Sequence, residues 1–206
     1  MRLNVNPNRM ELMKLKSRLS MAERGHKLLK DKLDALMQDF IRTVRENRYL
    51  RQEIEEEIVK AFEAQSKASL LLSEEDKKLI TVFPGERLGL EVQVRHVTGV
   101  KVPHFEVKVE GDPYTYSLIN TPAEIDEAFS SFFQVFPLMV KLAEAEKTIE
   151  LLAVEIEKTR RRVNALEYVL IPNLQETIKY ITLKLDELAR SSVVSIMRIK
   201  GKGLTG

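Results

Sequence analysis

EKTRRRVNALEYVLIPNLQETIKYI, Glu157–Ile181, is the stretch that decides the fold. Three consecutive arginines, Arg160, Arg161 and Arg162, run into an apolar seam at Val163, Leu166 and Leu170. The seam then meets Pro172 inside what otherwise reads as one long helix. Proline removes a backbone donor and clashes with the carbonyl four residues back, so Pro172 is expected to kink the helix. Only a helix held strongly on both sides continues through such a defect.

The hold is legible on the N-terminal side. Leu142, Ala145, Ile149, Leu152, Ile156, Thr159, Val163, Leu166 and Leu170 alternate steps of three and four. This heptad repeat implies a left-handed supercoil against a partner helix. Leu166, Leu170, Leu174 and Ile178 are then four apart, before Ile181, Leu185 and Leu188 resume the heptad. Steps of four locally unwind a supercoil.

The partner lies at the other end of the chain. Leu12, Leu15, Leu19, Ala22, His26, Leu29, Leu33, Leu36 and Phe40 follow the same rhythm. Continuing in register gives Thr43, Asn47, Leu50 and Ile54; the two polar positions either fix the register or are locally solvated. Asn6 is the expected N-cap, with Pro7 at the first helical position. From Asn6 to Leu72 the helix would be roughly 100 Å long. Pairing the helix ends sets Gly25 and His26 near Pro172 and Asn173.

Between the two seams the period changes. Leu90, Val92 and Val94 alternate with Glu91, Gln93 and Arg95, and Phe105, Val107 and Val109 with Glu106, Lys108 and Glu110. Period two predicts short antiparallel strands over 89–97 and 102–110, with Pro103 at an edge, bulge or strand start. A lone hairpin is marginal in water, so it must lean on the helices or a partner. Val92, Val94, Val102, Phe105 and Val107 are its candidate partner-binding residues. Phe83-Pro84-Gly85 and Gly111-Asp112-Pro113 are turns, and Ser73 is positioned to recap a short helical segment. Thr121, Pro122 and Glu124 form a capping box that restarts helix, and Pro137 is expected to kink or re-nucleate it.

The fold class is therefore mainly α. The N- and C-terminal helices form a long antiparallel two-helix left-handed coiled coil, with a β-hairpin and short helical segments in the middle. The expected divisions are an N-terminal coiled-coil helix over 1–72, a head over 73–136, a C-terminal coiled-coil helix over 137–200 and a flexible tail over 201–206.

Composition excludes several classes. The chain has 206 residues, 31% charged and 44% hydrophobic, with no cysteine. A disulfide framework and a thiolate metal site are thus excluded. No apolar run approaches the ~20 residues of a membrane span, and the first residues lack the apolar core of a secretory signal. A soluble, intracellular protein is the expectation. Three histidines, His26, His96 and His104, show no metal-ligand spacing, and no phosphate loop or nucleophile elbow is present. Catalysis within the chain, a cofactor and a bound metal are not expected.

The net charge of +2 hides an asymmetry. Residues 1–32 carry nine basic and three acidic side chains, and residues 190–206 four basic and none acidic, so the ends are +6 and +4 and the remainder is −8. An antiparallel coiled coil brings those ends together as a basic pole. Nucleic acid would be one partner for it, but interleaved aromatics and a known module are missing. An acidic protein cavity fits the charge equally well.

Three blocks carry a resemblance. NPNRMELMKLKSRL near the start, RGHKLLKDKLDAL (Arg24–Leu36) and KTRRRVNALEYVLIPNLQETIKYI (Lys158–Ile181), with KVPHFE (Lys101–Glu106) between them, resemble the D subunit of the V-type (A/V-type) rotary ATPases, prokaryotic members in particular. The resemblance spans nearly the full length. It implies a non-catalytic central rotor shaft that binds no nucleotide. The paired terminal helices would enter a ring of catalytic and regulatory subunits. The other end would bind the small F subunit of the stalk and a funnel-shaped subunit on the membrane rotor ring. ATP hydrolysis or synthesis would then be coupled to H⁺ or Na⁺ transport, in the cytoplasm and peripheral to the membrane, without nucleic acid or membrane insertion. Candidate ring contacts are Arg9, Lys14, Arg18, Arg24 and Lys27 on the first helix, and Arg160, Arg161, Arg162, Arg190 and Arg198 on the last. The alternatives are a prefoldin-like chaperone, whose apolar tips these basic ends do not match, and a generic coiled-coil scaffold.

Overall fold

The computed structural model describes residues 5–73, 75, 86–111 and 122–203. Helix α1 (Arg9–Leu71) is followed by strands β1 (Glu86–Val97) and β2 (Val100–Gly111). Helix α2 (Ala123–Ala165) passes through one π-helical turn, Leu166–Leu170, into α3 (Ile171–Gly203). The chain is mainly helical with one antiparallel hairpin, the class expected. The turns at 83–85 and 112–113, the Thr121 cap and most of the segment after Ser73 lie outside the described residues. Contacts gather into two units: residues 1–34 with 156–206, and 35–155. Each is taken by itself.

In the first unit α1 starts two residues later than expected. Asn8, not Asn6, is the cap: its Oδ1 accepts from the Glu11 backbone N–H at 2.7 Å, and its carbonyl accepts from Leu12 N–H at 3.1 Å. Asn8 and Glu11 have capping-box spacing, and Pro7 stands just outside the helix. Leu15, Ala22, Leu174 and Ile181 form a buried core flanked by Leu12, Leu19, Ile171, Ile178 and Leu185. His26 Nε2 lies 3.4 Å from Glu167 Oε2. Numbers fall along α1 as they rise along α3, so the pair is antiparallel. His26 therefore meets the π turn rather than Pro172 and Asn173.

The π turn also corrects the seam. Ile171 N–H bonds to the Leu166 carbonyl, five residues back. This ring holds one residue more than an α-helical ring, which moves the following positions round the helix. Leu166 stays half-buried, whereas Leu170 is pushed out to 41% exposure beside Tyr168 and Val169. The seam resumes one residue later, at Ile171, Leu174, Ile178, Ile181 and Leu185. Steps of three and four are thus kept on both sides of a single skipped residue. Pro172 sits in the first turn of the restarted α-helix, where proline is tolerated because its missing N–H is not needed.

In the second unit, Arg51 pairs with Glu146 at 2.5 Å. Ile54 and Ala61 bury against Val135, and Ala64 and Ala68 against Ile125 and Ala128. This pairing is also antiparallel. Leu36 and Leu152 are fully buried, and Phe40 and Ile149 half-buried, as are Leu29 and Leu33 of the first unit. Helix α2 runs on through Pro137, which neither ends nor restarts it. Val135 and Leu138 hold the helix on either side of the missing donor. Phe62 stays outside the core, edge-on to Phe132 with ring centroids 5.7 Å apart.

The hairpin is longer than expected and has no bulge. Val97 pairs Val100 across Thr98 and Gly99, whose φ values of 46° and 81° make a two-residue turn of the primed type. Pro103 stands opposite Val94 within regular pairing. In a sheet of two strands both strands are edges, so a proline without an N–H costs no ladder bond on the outer side.

Candidate functional sites on the two units

The first unit carries a basic and an apolar surface side by side. Arg9, Lys14, Arg18, Arg24, Lys27, Arg160, Arg161, Arg162, Arg190 and Arg198 are all exposed. Lys14 pairs with Glu11 and Arg161 with Glu157, and Arg24 Nε donates to the Ser20 carbonyl at 3.3 Å. Each of these contacts is to the residue's own helix. Arg9, Arg18, Lys27, Arg160, Arg162, Arg190 and Arg198 make no ion pair or hydrogen bond with other described residues. Such side chains are available to a partner without breaking an internal contact.

Beyond Leu185 no described residue covers α3. Residues 186–198 are exposed throughout, and the helix continues to Gly203, about 27 Å past Leu185. Leu188, Val193, Val194, Ile196 and Met197 are each about half to two-thirds exposed. Met10, Met13, Met21 and Leu28 on α1 are equally bare. The Lys184 hydrogen bond and charge hold the Glu187 carboxyl below its usual range and raise Lys184 in turn. Both stay charged around neutrality, so the Glu187 charge is engaged by a lysine of its own helix.

The second unit carries the hairpin. Leu88, Leu90, Val92 and Val94 pair Val109, Val107, Phe105 and Pro103, and all eight side chains lie on one face. On that face Leu88, Leu90, Val92, Val94 and Val109 are 48% to 65% exposed, and Phe105 and Val107 half-buried. Val102 does not belong with them. It pairs Arg95 on the opposite face and is 4% exposed, buried toward the helices. The side facing the helices is mixed near the turn: Arg95, Val97, Val102 and His104 border a cleft of about 630 Å³ with Arg42, Glu46 and Leu50 of α1 and Lys141, Glu144 and Ala145 of α2. Only the turn end of this face, at Val102 and His104, meets the helices; Glu91, Gln93, Glu106 and Lys108 further along it are exposed, so most of the apolar face at Leu88–Val94 and Val109 is left uncovered as well. An apolar face this continuous is characteristic of a covered surface.

No grouping of side chains able to hold a metal occurs among the described residues, and no described helix is long and apolar enough to cross a membrane.

Against known proteins, residues 11–201 match the family model for the ATP synthase D subunit. The chain belongs to this family. It is 47% identical over 205 residues to the V-type ATP synthase D subunit of Clostridium botulinum (strain ATCC 19397 / Type A), covering 97% of this chain and 95% of that one. The corresponding proteins of Clostridium novyi (strain NT) and Acetivibrio thermocellus are each 46% identical, over 97% and 96% of this chain and 94% and 91% of theirs. This is the family that the sequence blocks resemble. Residues the sequence left unmarked are Tyr168 and Val169 on the π turn, and Glu144 and Asp39, which hold the hairpin.

Proposed function

We propose that the chain is the central stalk of a rotary V-type or A-type ATPase, the shaft that transmits torque between the nucleotide-hydrolysing ring and the membrane rotor. The observation that carries this is the bare end of α3. A helix whose exposed apolar side chains have no cover among the described residues is stabilised when a surrounding protein surface removes them from water. Exposed arginines without partners among the described residues supply contacts that form and break as the shaft turns. An asymmetric shaft presents a different surface to each of the ring's otherwise equivalent interfaces, and differential contact is what shifts a two-state equilibrium. In this reading the shaft carries no catalytic residue. Its other end binds the small stalk partner, through the outer face of the hairpin, and the funnel-shaped subunit above the membrane ring. It works in the cytoplasm, peripheral to the membrane, coupling ATP hydrolysis or synthesis to H⁺ or Na⁺ movement.

The test is removal of residues 189–206. The Leu15–Ile181 core ends before this cut, so the truncated chain is expected to fold and assemble while ATP-driven ion transport falls several-fold. Full coupling in a correctly assembled truncated complex would overturn the proposal.

A further inference from the structure

Among the described residues, hydrogen bonds tie the hairpin to the helices at two points, and both acceptors are carboxylates. Glu144 of α2 accepts from the Phe105 backbone N–H at 3.0 Å, and His104 Nδ1 lies 3.0 Å from both of its oxygens. Phe105 N–H points away from β1, along the open edge of β2, where a third strand would otherwise pair. A side-chain carboxylate therefore occupies the place of a neighbouring strand. Asp39 of α1 holds the other end: its Oδ2 accepts from the Thr98 hydroxyl at the turn, and its Oδ1 accepts from Arg42 Nη2 at 2.7 Å.

Apolar packing adds one buried hairpin side chain among the described residues, Val102, beside a cleft that Leu50, Val97 and Ala145 also border. The turn chemistry points to the hydrogen bonds. Thr98 has φ 46°, a region in which a β-branched residue is strained and for which Asn, Asp or Gly is the ordinary choice. What threonine supplies there is the hydroxyl that reaches Asp39.

We propose that Glu144 and Asp39 form a two-point latch that sets the position of the hairpin on the helices. Polar contacts at the cleft then decide how the apolar outer face is presented, and a latch of hydrogen bonds opens and recloses without unfolding the helices. The consequence for partner binding rests on the reading of that face given above; the latch itself rests only on contacts within this chain.

The test uses the full chain, with amide hydrogen exchange across Val100–Val107 and a spin-label distance between Val94→Cys and Ala143→Cys, the chain having no other cysteine. Glu144→Ala is expected to speed exchange of the Phe105 amide roughly tenfold or more and to broaden the distance distribution, with helical content unchanged. Glu144→Gln, which keeps an acceptor for Phe105, is expected to restore most of the protection. Thr98→Gly relieves the strained turn yet removes the Asp39 contact, and is expected to broaden the distances too. Unchanged exchange and distances in Glu144→Ala, or a narrower distribution in Thr98→Gly, would overturn the latch. If the hairpin loosens while affinity for the small stalk partner is unaltered, the latch stands and the partner assignment of the outer face falls.

Discussion

Leu170 and Leu174 are separated by one helical turn and are chemically identical, yet only Leu174 is buried, at 3% exposure against 41%. Truncating Leu174 to alanine removes transfer energy and leaves a cavity, so Leu174→Ala is expected to destabilise the first unit by about 3 kcal/mol. Leu170→Ala is expected to cost under about 0.5 kcal/mol. Chemical denaturation of the two variants side by side checks this. Most seam residues were legible because a heptad is a counting pattern, and Leu15, Leu36, Leu152 and Val163 are buried where counting put them. Leu170 was not, because the count continues in sequence while the helix gains a residue in one turn. Val102 failed for a related reason: it and Phe105 differ in parity, so they occupy opposite faces of β2 although both are apolar. Asn8 took the cap from Asn6 because its side chain reaches the amide three residues on.

At the scale of elements, the long helices tolerate both internal prolines, by different means. Pro137 lies within regular α-helix between packed residues, whereas Pro172 follows a π turn that restarts the helix. Deleting Val169 removes the skipped residue, and with Pro172→Ala the helix can run as continuous α with an unbroken heptad. This variant is expected to melt several degrees higher in the isolated chain and to lose the i→i−5 bond from Ile171, which carbonyl isotope shifts would report. An unchanged melting temperature would mean that the π turn is not a strained feature. The four-residue steps at Leu166–Ile178 were the visible trace of this insertion; they read as local unwinding because four-residue spacing alone does not say where the extra residue sits. The two strands were likewise legible from period two, but their register and the face that turns outward were not. The groups that bond to the hairpin from the helices, Glu144 and Asp39, are distant from it in sequence.

For the whole molecule, the arginines are the discriminating residues. Arg160 and Arg162 have no partner among the described residues, and Arg161 has only Glu157 on its own helix. Exposed pairs of that kind contribute at most about 1 kcal/mol. Replacing Arg160, Arg161 and Arg162 together by alanine is therefore expected to leave the thermal melt of the chain nearly unchanged while lowering coupled turnover of the assembled complex several-fold. Normal turnover at normal assembly would remove these residues from the contact surface. The fold and family were readable because they depend on periodicity and block order spread over the full chain. The contact surface depends on which side of each helix faces away from the seam, and that shifts at the π turn.

One skipped residue has a rotational consequence. Each residue of an α-helix advances the side chain by about 100° of azimuth. The π turn absorbs one residue while the seam stays facing α1, so side chains beyond Ile171 are out of phase with the pattern set by Arg160–Arg162. Arg190 and Arg198 thus point in directions that an uninterrupted heptad would have given to their neighbours in sequence. A one-residue change in length thus becomes an angular offset between two levels of the same helix pair.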